Sequence, residues 1–112
     1  MTIDIYIQYF SADLEFNGVP RHAAIVKLTS ESEAGKIRYT ASVSFFPHNS
    51  EDDYAVSYDA FFEEVLYNAS GRRSKKREVA LLKDLPSVID RLASDAGGTV
   101  YWDQPLREAR ID

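Results

Sequence analysis

The chain reads as an α+β domain: an antiparallel or mixed sheet of about four to five strands with two to three helices packed on one face. Three observations predict it. Residues 36–46 alternate without a break, Ile37, Tyr39, Ala41, Val43 and Phe45 against Lys36, Arg38, Thr40, Ser42 and Ser44, the period of a half-buried strand. Two stretches in the second half, 57–69 and 76–95, repeat apolar residues at three and four, the period of an amphipathic helix. The order of these segments is β-β-β, then α-α, then β, which favours a sheet with its helices segregated to one side.

Taken in order, residues 1–10 form the first strand, with Ile3, Ile5, Ile7 and Tyr9 on one face and Thr2, Asp4, Tyr6, Gln8 and Phe10 on the other. The strand continues to Phe16 if the chain bends at Ser11-Ala12. Asn17-Gly18 is a turn dipeptide, and Val19-Pro20 keeps the chain extended after it. Residues 22–29 pair with 36–46 as a hairpin across the polar stretch 30–35, which ends in Gly35. Within this hairpin Ile37, Tyr39, Ala41, Val43 and Phe45 are expected to be buried, and Arg38, Thr40 and Ser42 exposed. Pro47 removes an amide donor and ends the strand.

Ser57 is placed as an N-cap, Asp59 in the first turn, and Tyr58, Phe61, Phe62, Val65, Leu66 and Ala69 as the apolar stripe, with Gly71 closing that helix. Pro86 divides the next pattern, because proline disfavours helix at the residue before it. Residues 76–83 are then one short piece, helix or buried strand, and 86–95 a better helix with Pro86 at its first position. Gly97-Gly98 stops it, and residues 99–102 are the last strand. Residues 104–112 are a polar C-terminal tail on a single domain spanning 1–112. The helix-free face of the sheet is left to Tyr6, Phe10 and Phe46.

Composition narrows the function. At 112 residues, 45% apolar and 12% aromatic, the chain has the content of a folded core rather than of a disordered segment. The absence of cysteine removes disulfide frameworks, thiolate zinc sites and cysteine nucleophiles. No basic leader or apolar span is visible, so the reading is cytoplasmic, with no membrane contact. The sequon at Asn68 then has no role.

The net charge of −5 is unevenly placed. Arg72, Arg73, Lys75, Lys76 and Arg77 are five of the thirteen basic residues, and the rest of the chain carries −10. An acidic body bearing one basic knob disfavours general nucleic-acid binding and favours a basic partner.

No motif for catalysis or for a cofactor stands in the chain. His22 and His48 begin and follow strands that meet at one end of the sheet, and with Glu51, Asp52 and Asp53 they are the best metal set the sequence offers. No His-x-x-x-His or Glu-x-x-His spacing fixes a ligand geometry, so neither metal nor cofactor is expected. There is no Gly-x-Ser-x-Gly elbow and no Walker spacing around Gly71. Solvated acids such as Glu51, Asp52, Asp53, Glu63 and Glu64 lack the burial that tunes catalytic carboxylates. They suit an electrostatic patch instead. The expectation is therefore a non-enzymatic, protein-binding inhibitor of immunity-protein type. It would neutralise a basic bacterial toxin domain, a nuclease for example, through Glu51, Asp52, Asp53, Glu63 and Glu64. The alternative is a nucleic-acid- or nucleoprotein-binding regulatory or anti-defence module using Arg72, Arg73, Lys75, Lys76 and Arg77.

Overall fold

A computed structural model describes residues 1–46 and 60–108. Its elements are β1 (Thr2–Phe16), β2 (Val19–Glu33), β3 (Lys36–Phe46), β4 (Phe61–Ser70), α1 (Lys75–Asp95) and β5 (Thr99–Glu108). The strands form one antiparallel sheet in the order β4-β3-β2-β1-β5. The β4 and β5 strands are the two edges, and α1 joins them across one face.

Two tight turns set the centre of the sheet. Asn17 and Gly18 have φ of 54° and 77°, and Ala34 and Gly35 repeat those values. Positive φ at both central residues is the hairpin turn whose twist matches that of its strands. The second turn is two residues rather than six, because residues 30–33 and Lys36 join the ladder. The β2–β3 pairing runs from Ala23↔Phe46 to Glu33↔Lys36 without a register shift. Ile37, Tyr39, Ala41, Val43 and Phe45 are buried, as their alternation requires. Arg38 is exposed, Thr40 is half-buried, and Ser42 is buried against expectation, flanked in the ladder by Lys27 and Glu63.

The expected two to three helices are corrected to one among the described residues, and for two separate reasons. First, residues 61–70 are a strand. Leu66 is an extra residue between the pairs Tyr39↔Tyr67 and Thr40↔Val65. This bulge brings Leu66 and Tyr67 both onto the core, with Phe62 before them. Phe61 and Val65 occupy the opposite face, so apolar residues on both sides of an edge strand imitate a helical stripe. Phe61, Phe62, Val65 and Tyr67 are strand formers, which settles the competition. The proposed cap at Ser57 and Asp59 lies outside the described residues.

Second, residues 76–83 and 86–95 are one helix with Pro86 inside it. The stripe Leu81, Leu82, Leu85, Val88, Ile89, Leu92 and Ala93 continues past the proline and packs on the sheet. A proline in a helix interior costs about 3 kcal/mol. Burying Leu85 and Ile89 contributes about 1.5–3 kcal/mol each, and the rest of the stripe adds to that. Pro86 itself is exposed, so its ring does not interrupt the packed stripe. Ser74 caps the start, its hydroxyl accepting from the Arg77 amide at 3.3 Å. Gly97, at φ 85°, turns the chain out of the helix, and the Gly98 amide donates to the Ala93 carbonyl at 2.7 Å. A Cβ on Gly98 would lie 2.8 Å from Leu14 Cδ1 and 2.9 Å from the Asp13 carbonyl oxygen, so glycine permits β5 to start hard against β1.

The β1 strand carries two irregularities. Ile5 is an extra residue between Asp4↔Thr29 and Tyr6↔Leu28, and Ala12 and Asp13 together oppose the one residue His22. The first bulge exchanges the faces of the strand. Tyr6 and Phe10 turn to the helix side, where Phe10 is buried and meets Trp102 edge-on at 4.7 Å. Ile7 and Tyr9 turn outward. Of the three residues expected on the open face, only Phe46 is there, 5.9 Å from Tyr9 in an edge-to-face pair. The β5 strand runs to Glu108, beyond its expected end at Trp102 and into the stretch read as a tail. Among the described residues no helix is long and apolar enough to cross a membrane.

Candidate partner-binding face

The helix side of the sheet is committed to the fold. Three polar contacts fasten α1, one to each of three strands. Near its start, buried Glu78 accepts from the Tyr39 hydroxyl at 2.7 Å and from Arg73 Nε and Nη2 at 2.9 and 3.1 Å. The Tyr39 hydroxyl in turn accepts from the Ser74 amide at 3.2 Å. Further along, Arg91 grips Glu64 of β4 with two bonds of 2.7 and 2.8 Å, and the Trp102 indole of β5 donates to Asp90 at 2.7 Å. The hydrogen bonds of Arg73 hold the Glu78 carboxyl below the usual glutamate range against the opposing effect of burial, and Tyr39 adds to the lowering. Burial, then the bond to Glu78, pushes the Tyr39 hydroxyl up, which keeps it a donor.

The basic residues divide along the same line. Arg73 is bound to Glu78, and the Arg77 guanidinium lies 3.9 Å from the centre of the Tyr67 ring. Arg72, Lys75 and Lys76 are exposed and form no ion pair among the described residues. The knob is thus the lead-in and first turn of α1, and two of its five charges are spent on local structure.

The acidic candidates do not form one patch. Neighbours along a strand point to opposite faces, so Glu63 faces outward opposite Ser42 while Glu64 turns to the helix side and Arg91. Glu51, Asp52 and Asp53 lie outside the described residues, as does His48. His22 meets a different partner: its Nδ1 is 3.2 Å from Asp13 Oδ1, and the Tyr101 hydroxyl donates to Asp13 Oδ2 at 2.6 Å. The Tyr101 bond, followed by that of His22, lowers the Asp13 carboxyl below its ordinary value. No signal in the sequence points to this trio, which draws on β1, β2 and β5. Among the described residues no three His, Asp or Glu side chains converge on a point that would hold a metal.

What remains accessible is the outer face of the sheet. It carries Ile7 and Tyr9 of β1, Ile25, Lys27 and Thr29 of β2, Thr40, Ser42, Ser44 and Phe46 of β3, and Phe61, Glu63 and Val65 of β4. None of its apolar side chains belongs to the core cluster under α1. Phe61 and Val65 are each 49% exposed, and Tyr101 on β5 is 41% exposed. Compared with known proteins, the chain matches no protein-family model, no curated protein and no solved structure.

Proposed function

We propose that the chain is a non-enzymatic protein-binding inhibitor of immunity-protein type, acting in the cytoplasm, which neutralises a basic toxin domain by covering it with an acidic surface. One observation carries this reading, the separation of charge between residues 72–95 and the rest of the chain. Residues 72–95 hold seven basic and four acidic side chains, net +3, so the rest of the chain carries −8 of the overall −5. A cationic partner is drawn to the acidic remainder of the chain and repelled by the head of α1, which orients the encounter as well as speeding it. Covering a cationic active site with carboxylates excludes an anionic substrate from it. Glu63 is on the sheet side, and the acids Glu51, Asp52 and Asp53 of the segment between β3 and β4 belong to the same proposal. The second reading, nucleic-acid binding at Arg72, Lys75 and Lys76, is favoured by their exposure, but it has only three uncommitted cations to neutralise phosphates.

The test asks whether a reading frame beside this chain's gene encodes a basic domain, a locus without one counting against the reading, and then measures the association rate with that purified domain against ionic strength. The Debye length falls from about 10 Å at 0.1 M salt to about 3 Å at 1 M, so the rate should fall by about tenfold or more across that range. The absence of a complex, or a rate indifferent to salt, would overturn the reading.

A further inference from the structure

Resting on that reading, we infer that the uncovered sheet face is the docking surface for the basic partner, with Phe61 and Val65 as its apolar anchors and Asp4, Asp13 and Glu63 as its charged surround. The face is mixed, with apolar side chains at its margins and short polar ones between them. Its middle holds Thr29, Thr40 and Ser44, with buried Ser42 flanked in the ladder by Lys27 and Glu63. Phe61 and Val65 stand at one margin, and the Tyr9–Phe46 pair closes one end.

Charge selects the occupant. Asp4, Asp13, Glu31, Glu33 and Glu63 face outward with Lys27, Lys36 and Arg38, and Arg38 is already bound to Glu31. The balance of these eight side chains is acidic, five carboxylates against three cations. A second copy docked face to face would bring two such faces together. A basic domain with an apolar patch of its own satisfies both the anchors and the surround.

The probe is a purified basic domain, taken from a reading frame flanking this chain's gene where one encodes it and used as a catalytically inactive variant. The Phe61→Thr, Val65→Thr double variant should keep the wild-type melting temperature, because threonine retains the strand preference, and weaken the complex by about tenfold or more, the loss expected of exposed apolar contacts. Glu63→Lys should slow association by about tenfold at low salt, and Lys83→Ser, on exposed helix surface, should change nothing. If wild type binds and the double variant binds equally well, the face is wrong while the proposed function stands. If wild type does not bind, both fail. If the chain alone forms a dimer that the double variant abolishes, the face belongs to a second copy and the inference is overturned.

Discussion

Val43→Asp is expected to lower the melting temperature of the domain by about 15 °C or more. Val43 has no exposed surface, and it sits at the centre of β3 between Val26 of β2 and Phe62 of β4. Aspartate there would place a carboxylate with no cation in reach, or a neutral acid with no partner. Either costs several kcal/mol, about 4 or more when the lost packing is added. A domain of this size is typically stable by about 5–15 kcal/mol, so the substitution removes much of what holds it. A thermal melt followed by circular dichroism reads the effect. A soluble variant with an unchanged melting temperature would mean that the two faces of β3 are assigned backwards.

Glu78→Ala is expected to be the next most damaging change. It leaves the buried Tyr39 hydroxyl without its acceptor and releases Arg73 from the turn before α1. Hydrogen bonds to a charged group contribute about 1.5–3 kcal/mol, and a stranded buried hydroxyl adds a penalty, so a loss of about 3 kcal/mol is expected. Tyr39→Phe should cost less, because Glu78 then keeps Arg73. The double variant should cost less than the two losses added together, since both break the same bond. The pH dependence has a definite sign. The folded Glu78 carboxyl titrates below its unfolded value, so its stabilising contribution is full above the ordinary glutamate pKa of about 4.3 and is lost as pH falls through the lowered folded value. Glu78→Gln should therefore flatten the acid side of the stability curve. An acid limb identical to wild type would remove Glu78 from the account.

The contrast between β3 and β4 shows what the sequence could reveal. The β3 strand has a core face and a polar face, so its period of two survives in the residues. The β4 strand is apolar on both faces at Phe61, Phe62, Val65 and Leu66, and its bulge shifts the phase midway, so the residues carry a helical rhythm in a strand. At Pro86 a local rule was outweighed by burial of Leu85 and Ile89, a tertiary effect that no window of sequence contains. The bulge at Ile5 exchanged the faces of β1 with one added residue. Charge composition was readable, and with it the contrast between an acidic body and a basic knob. The partition of that charge between sheet and helix was not, because Glu63 and Glu64 are neighbours in sequence and opposites in space. Tyr39 with Glu78, and Asp13 with Tyr101, meet only through the sheet topology.

The most direct test of the central claim, that the acidic sheet side rather than the basic head of α1 makes the functional contact, is one association-rate measurement. The variant is Arg72→Gln, Lys75→Gln, Lys76→Gln, which leaves Arg73 on Glu78 and Arg77 on Tyr67, and the probe is the same purified basic domain, from a flanking reading frame that encodes one. The account predicts a rate equal to wild type or somewhat faster, because removing three repelling charges makes the molecule more acidic. A loss of binding in this variant, with its melting temperature unchanged, would contradict the account and assign the contact to the basic residues.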